Sequence, residues 1–450
     1  MLKKSFVIII SALIISSFAA CTGNAGQSSA DSSSVTSGSA VSADSSSKSD
    51  SSSSYGSEEV TFSGYEKGII DTTNIFTKRD LTQTADTSSA KTLEVSDGQT
   101  LKITEEGVYV IKGTAKNCTI RVEADDTAKV QLVLDGVSIT NDSTPAIYVV
   151  SADKCFVTTS ADSTLSVTGA FTADGDTNTD AVIFSKDDLV LNGTAALTIN
   201  SSQGNGVTGK DDVKVTGGTY NITSALDSIE ANDSIAIYDG TLTINSSKDG
   251  IHSENSDDDT KGYVYIHGGT FTINAKSDAV QATTYLQVDG GTFKLTAAEG
   301  FEGTSIQIND GTIEISASDD GINGAQKSKS IGTPNIEING GKLTIVMGQG
   351  DTDAIDCNGN ITVNGGTIDI TAQMSSFDYD GTATYNGGTI IINGEEVNSI
   401  PQSMMGGGGM GGGQMGGQMG GQMGGQMGGQ GGMAPGGQNG NGFGGNGFAR

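Results

Sequence analysis

Apolar and polar residues alternate in short runs along most of this chain, and paired glycines cut the runs. In YVYIHGGTFTI, Val264 and Ile266 alternate with Tyr265 and His267, and beyond the glycines Phe271 and Ile273 alternate with Thr270 and Thr272. A period of two predicts strands with one face inward and one outward. The glycine pair predicts a corner that needs permissive dihedrals. The Gly-Gly-Thr phrase recurs at Thr219, Thr241, Thr270, Thr292, Thr312, Thr367 and Thr389, with Lys342 in the threonine's place once. Degraded copies stand at Val137 and Thr194. The spacing is roughly 20 to 30 residues, a solenoid period. A third phrase, acid–small–apolar, accompanies most copies: Asp180, Asp227, Asp249, Asp278, Glu299, Asp320 and Asp353 open it. Three strands and three turns per repeat predict an all-β, right-handed, single-stranded parallel β-helix of about ten to twelve coils. No stretch carries a helical period.

The two ends lack this pattern. Lys3 and Lys4 precede an apolar run from Phe6 to Ile15, and Phe18-Ala19-Ala20 leads into Cys21. Residues 1–20 read as a signal peptide of lipoprotein type, with Cys21 as the lipidated residue. The alternative is an ordinary signal peptide cut near Ala20. Residues 21–57 are a Ser-rich linker that cannot bury apolar surface. Residues 58–92 are less periodic and read as a lead-in or cap, and residues 93–402 hold the solenoid. Residues 403–450 form a low-complexity Met/Gly/Gln tail. These features place the chain outside the cytoplasm, on the outer face of the bacterial cytoplasmic membrane, touching lipid only through the anchor.

The formal charge of −29 excludes a phosphate-backbone partner, so no nucleic acid is expected. An acidic exported chain points to metal cations instead. Past Cys21, the cysteines Cys118, Cys155 and Cys357 are odd in number and far apart, which predicts free inward thiols. The expected state is a monomer.

At this point EGVYVIKGT from Glu105, VQLVLDGVSI from Val130, TPAIYV from Thr144 and TDAVIFSKDDLVLNG from Thr179 carry a resemblance, together with KDGIHSEN and DDGINGA. Over about Glu94 to Gly394 the chain is similar to the clostridial carbohydrate-binding β-helix proteins, fold relatives of polysaccharide lyases. The resemblance implies binding of cellulose or of acidic sugars such as polygalacturonate, with calcium on the solenoid surface.

Stacking would set Asp227, Asp249, Asp278, Glu299, Asp320 and Asp353 one coil apart. Bare carboxylates 4–5 Å apart repel by about 1 kcal/mol per pair in water, and several-fold more when partly buried. A cation relieves this, and Ca²⁺ takes six to eight oxygen ligands. Glu230, Glu302 and Asp356 follow the column by three residues and can add ligands. The other reading of each Asp is a simple Asx turn. A second calcium candidate is the loop of Asp174, Asp176, Asn178 and Asp180. It has an EF-hand-like start but lacks the glycine and the final glutamate, and reads equally as a solvated turn.

The expected glycan contacts are Tyr238, Tyr265, Tyr285 and Phe301 as an outward platform, with Lys248 and Lys276 beside the acids. There is no Trp, so the binding mode favoured is calcium bridging protein and sugar carboxylates. A calcium-dependent lyase is the competing reading. Its base would be Lys248 or Lys276, and acids around an ammonium raise its pKa, which makes a poor base. A surface rod without glycan specificity is the third reading. His252 and His267 read as plain outward residues. Asn309, Asn339 and Asn364 read as an amide ladder.

Overall fold

The computed structural model describes residues 68–402, except Ser256 and Asp351. The expected signal peptide, Cys21, the expected linker and the expected tail lie outside the described residues. Among the described residues there are 34 strands and no helix.

The strands stack as a parallel β-solenoid with three faces. On the first face Thr219, Thr241, Thr270, Thr292, Thr312, Lys342, Thr367 and Thr389 pair in strict register. The Lys342 substitution therefore occupies the threonine position of its coil. The side chains of this column point outward, and the next residue of each strand points inward. Leu242, Phe271, Phe293, Ile313, Leu343 and Ile368 form that inward column, each no more than 1 % exposed. The rings of Phe271 and Phe293 stack at 4.5 Å and Phe301 closes on Phe293 edge-on at 5.7 Å. Burying each such ring contributes about 1.5–3 kcal/mol.

The corner before this face needs its second glycine. Gly269 takes φ 117° and Gly291 φ 111°, a region closed to most side chains. The last coil ends in the strand Glu395–Val397, which folds back antiparallel on Thr389–Ile392 and covers part of the open edge. Cys118, Cys155 and Cys357 are free and buried.

The amide ladder is present. Nδ2 of Asn339 donates to Oδ1 of Asn309 at 2.8 Å, Nδ2 of Asn364 to Oδ1 of Asn339 at 2.7 Å, and Nδ2 of Asn386 to Oδ1 of Asn364 at 2.7 Å. Asn339→Ala removes two of these bonds. The expected cost is about 1–2 kcal/mol, read as a lower urea midpoint.

The lead-in segment differs from expectation. Residues 68–84 do not cap the first coil; they run as a strap along the outside of the second face, across many coils. The backbone N–H of Ile69 bonds Oε1 of Gln307 at 3.2 Å and that of Ile70 bonds Oε1 of Gln287 at 2.9 Å. Further along, Phe76 packs on Tyr238 and Tyr265. Asp80, fully buried, reaches Lys154 at 3.4 Å. Gln83 bonds the Thr216 carbonyl at 2.9 Å. Only then does the chain enter its first strand, Lys91–Glu94. Ile70, Ile75 and Phe76 are three apolar anchors that a simple cap would not need, and they make the strap adhere.

The strap also overturns the aromatic platform. Tyr265 is 1 % exposed beneath Phe76, and its hydroxyl donates to Asp289 at 2.9 Å. Tyr238 stacks on His267 at 4.6 Å, and Tyr238 and Tyr285 both pack against the strap cluster. Phe301 is a core residue, fully buried. Alternation alone could not reveal that an outward face was already occupied.

Candidate functional site

The third face carries the acids. The first acid of each phrase aligns with the next: Asp278 with Glu299, and Asp320 with Asp353. A second ladder runs beside it, three residues on. It reads Glu230, His252, Gln281, Glu302, Asn323, Asp356 and Asp378. Residues three apart face opposite sides of a straight strand. Here the side chains of both ladders nevertheless reach one surface. Ligand atoms of Asp227, Asp249 and His252 consequently lie within 4.8 Å of one another, as do those of Asp278, Glu299 and Glu302.

These two clusters differ in charge balance. In the first, Nζ of Lys248 lies 2.7 Å from Asp227 and 3.5 Å from Asp249. Nδ1 of His252 lies 3.4 Å and 3.5 Å from the same carboxylates. Burial alone would raise the Asp227 carboxyl, but His252 and Lys248 more than offset it and hold it below the usual range. Burial opposes the charged forms of His252 and Lys248 too, yet Asp227 raises both. Two acids facing two cations form a self-neutralised cluster.

The second cluster is not neutralised. Glu302 has Lys327 at 2.6 Å, the one cation paired with its three carboxylates among the described residues. Burial, then Glu302 and Glu299, push Asp278 up to about 9. Burial and Glu302 push Glu299 to about 7. Nε2 of Gln281 donates to Asp278 at 3.0 Å and also to Glu302. Nδ2 of Asn323 donates to Glu299 at 3.1 Å, while Asn323 Oδ1 is buried with no partner among the described residues. An orphaned buried oxygen costs about 1–3 kcal/mol.

The same imbalance continues along the ladder. Burial, then Asp356, raise Asp320 to about 7, and burial, then Asp353, raise Asp356 to about 6. The hydroxyls of Thr352 and Ser375 are buried there without partners among the described residues. At the other end, burial raises Glu230 and Asp180. Asn205 donates to Glu230.

The structure thus gathers Asp227, Glu230, Asp249, Asp278, Glu299, Asp320, Asp353 and Asp356 on one face. It gathers only part of the loop candidate, since Asp180 lies near Asp227 and Glu230 at the end of the ladder. Asp174 instead pairs with Arg121 on the strand Thr119–Glu123 at 3.0 Å, and Asn178 donates to Asp180 at 2.6 Å. No ion pair or hydrogen bond links Asp176 to that loop among the described residues. Lys248 reaches the acids as expected, whereas Lys276 forms no ion pair among the described residues. His252 was misread as an outward turn residue; it is 6 % exposed between two aspartates. Gln281, Asn323 and Lys327 were missed. The signal for the first two was the register: the residue three past each acid is polar in coil after coil.

Comparison with known proteins gives the family of the solenoid. A family model described as carbohydrate-binding domain-containing protein matches residues 97–354 and 302–396, which spans most of the solenoid. The chain belongs to this carbohydrate-binding domain family. A carbohydrate-binding domain-containing protein of Acetivibrio thermocellus is 34 % identical over 134 residues, covering 29 % of this chain. The match spans 46 % of that relative, about half its length. A polysaccharide lyase-like protein from C. thermocellum, solved as a gadolinium derivative, is 28 % identical. It covers 56 % of this chain and 96 % of its own, with a TM-score of 0.42.

Proposed function

We propose that this chain binds polysaccharide at the cell surface without cleaving it, through calcium held on the acidic face. The glycan class proposed is acidic, polygalacturonate or a similar uronan, with cellulose as the neutral candidate. The right-handed winding and about ten to twelve coils belong to the same reading, since crossovers between parallel strands favour the right hand.

The observation that carries it is the uncompensated cluster of Asp278, Glu299 and Glu302 with the orphaned Asn323 oxygen. Its donors are carboxylates and an amide oxygen, the hard oxygen set that suits Ca²⁺. Asp320, Asp353 and Asp356, with the Ser375 and Thr352 hydroxyls, offer a second set of the same kind. Asp227 and Asp249 fit an ion less well, because Lys248 already supplies the cation. When bound, calcium would offer open coordination positions to sugar carboxylates, which the bare acids repel. Neither Lys248 nor Lys327 favours a lyase. Lys248 and Lys327 hold their protons more tightly than a free lysine, despite burial, because Asp227 and Glu302 face them.

A pull-down of the full chain on insoluble polygalacturonate and on cellulose tests the reading. Retention on polygalacturonate is expected with calcium and lost with chelator. Retention that ignores chelator sinks the calcium bridge. Growth of ultraviolet absorbance from unsaturated products, in the presence of calcium, would instead establish a lyase.

A further inference from the structure

Among the described residues three large hydrophobic side chains are exposed: Leu226 at 41 %, Val346 at 45 % and Met374 at 53 %. All three lie at one corner of the solenoid, where the chain leaves a threonine-face strand and enters an acidic-face strand. Leu226 immediately precedes Asp227, and Met374 precedes Ser375, the register partner of Asp353. Between them a groove of about 380 Å³ follows the stacking direction. Its floor is Ala297, Ala317 and Met347, which pair in register. Val346, Ser316 and Lys276 stand among its lining residues.

The residues just beyond the groove are Asp278, Glu299 and Asp320, the acids of the ladder. The hydroxyls of Thr352 and Ser375, more than nine-tenths buried and without partners among the described residues, sit in the same corner. The corner therefore places alkyl surface, the lining residues Thr296, Ser316 and Ser318, and the Lys276 ammonium beside the ion-binding carboxylates.

We infer that a uronan chain lies along this corner, its ring carbons on the alanine–methionine floor and its carboxylates turned toward the acidic ladder and Lys276. This rests on the proposed calcium-dependent binding and says where the glycan sits. The floor suits a sugar better than a protein partner. It is a shallow groove lined mostly by Ala, Ser and Thr, with Val346 and Met347 as its larger apolar members, and it lacks the deep pocket that an aromatic or arginine anchor fills. Coils stack at about 4.8 Å, a step comparable with one sugar residue, so successive coils can meet successive rings. On the second face, residues 68–84 already cover the coils between Lys154 and Gln307. Lys276, exposed and unpaired among the described residues, can meet a sugar carboxylate directly.

The test uses the full chain and oligogalacturonate. Lys276→Glu and Val346→Asp are made singly and together; both positions are exposed, so the fold should hold, and circular dichroism checks it. Calcium binding is measured by calorimetry without glycan, and glycan binding at saturating calcium. The double variant should bind calcium as the wild type does and bind oligogalacturonate about tenfold or more weakly. Met374, probed by mild peroxide, should oxidise more slowly when the wild type holds the glycan. Unchanged glycan affinity in a folded double variant overturns the corner while leaving calcium-dependent binding intact. Failure of the wild type to bind oligogalacturonate with calcium overturns both readings.

Discussion

Raising the pH from about 5 to about 9 in chelator is expected to destabilise the ion-free protein, and calcium is expected to reverse the loss. Asp278 carries most of the effect. Buried against Glu302 and Glu299, its carboxyl sits at about 9 in the fold, against about 3.9 in an unfolded chain. Between those values the folded state holds a proton that the unfolded state has released. Stability then falls with rising pH, by about 1.4 kcal/mol per pH unit for one such group. The contribution is fully present below the unfolded value and gone above the folded one. Glu299, Asp320 and Asp356 add to the slope in the lower part of the window, because burial and neighbouring acids also raise them. Asp227 has the opposite sign, since His252 and Lys248 overcome its burial. Its contribution is present above the usual aspartate range and lost only in acid. Calorimetric melting in chelator at several pH values, repeated with calcium, measures the slope directly. A flat or rising melting temperature across the window, without calcium, would contradict this account of the acidic ladder.

Phe293→Ala should cost about 3–5 kcal/mol, the usual range for removing a buried aromatic ring. The ring lies between Phe271, stacked at 4.5 Å, and Phe301, edge-on at 5.7 Å. Neighbouring coils cannot collapse into the space, because each is fixed by parallel pairing above and below. Glu299 and Glu302 stand on the strand that carries Phe301. Urea unfolding monitored by circular dichroism gives the loss. Phe293→Leu should recover much of it, since volume-conserving apolar swaps cost less than about 1.5 kcal/mol. A loss under 1 kcal/mol would show that the coil repacks freely.

Much of the architecture was legible in the residues because solenoid physics is local and repetitive. Each Gly-Gly-Thr copy marks one corner, and parallel stacking then dictates which residues meet. The threonine column survived even where Lys342 interrupts it. The acids of the ladder were equally readable, since one phrase recurs. The strap was not legible. Its anchors, Ile70, Ile75 and Phe76, repeat nothing, and its partners lie 74 to 238 residues away. For the same reason the platform tyrosines were misjudged. His252 was hidden by a second limit: a strand's period of two assigns it outward but says nothing about acids arriving from the coil before. The charge balance that separates the Asp227 cluster from the Asp278 cluster depends on where Lys248 and Lys327 fold back. Spacing does not encode that.

The strap decides where a mechanical load enters the molecule. A pull applied at Gly68 arrives beside Gln287 and Gln307, well along the stack, and not at the opening strand Lys91–Glu94. Tension must peel Ile70, Ile75 and Phe76 off the second face in turn, then part Asp80 from Lys154, before any coil bears force. The segment thus behaves as a sacrificial seam, yielding in small steps while the hydrogen-bonded stack beneath it stays wound.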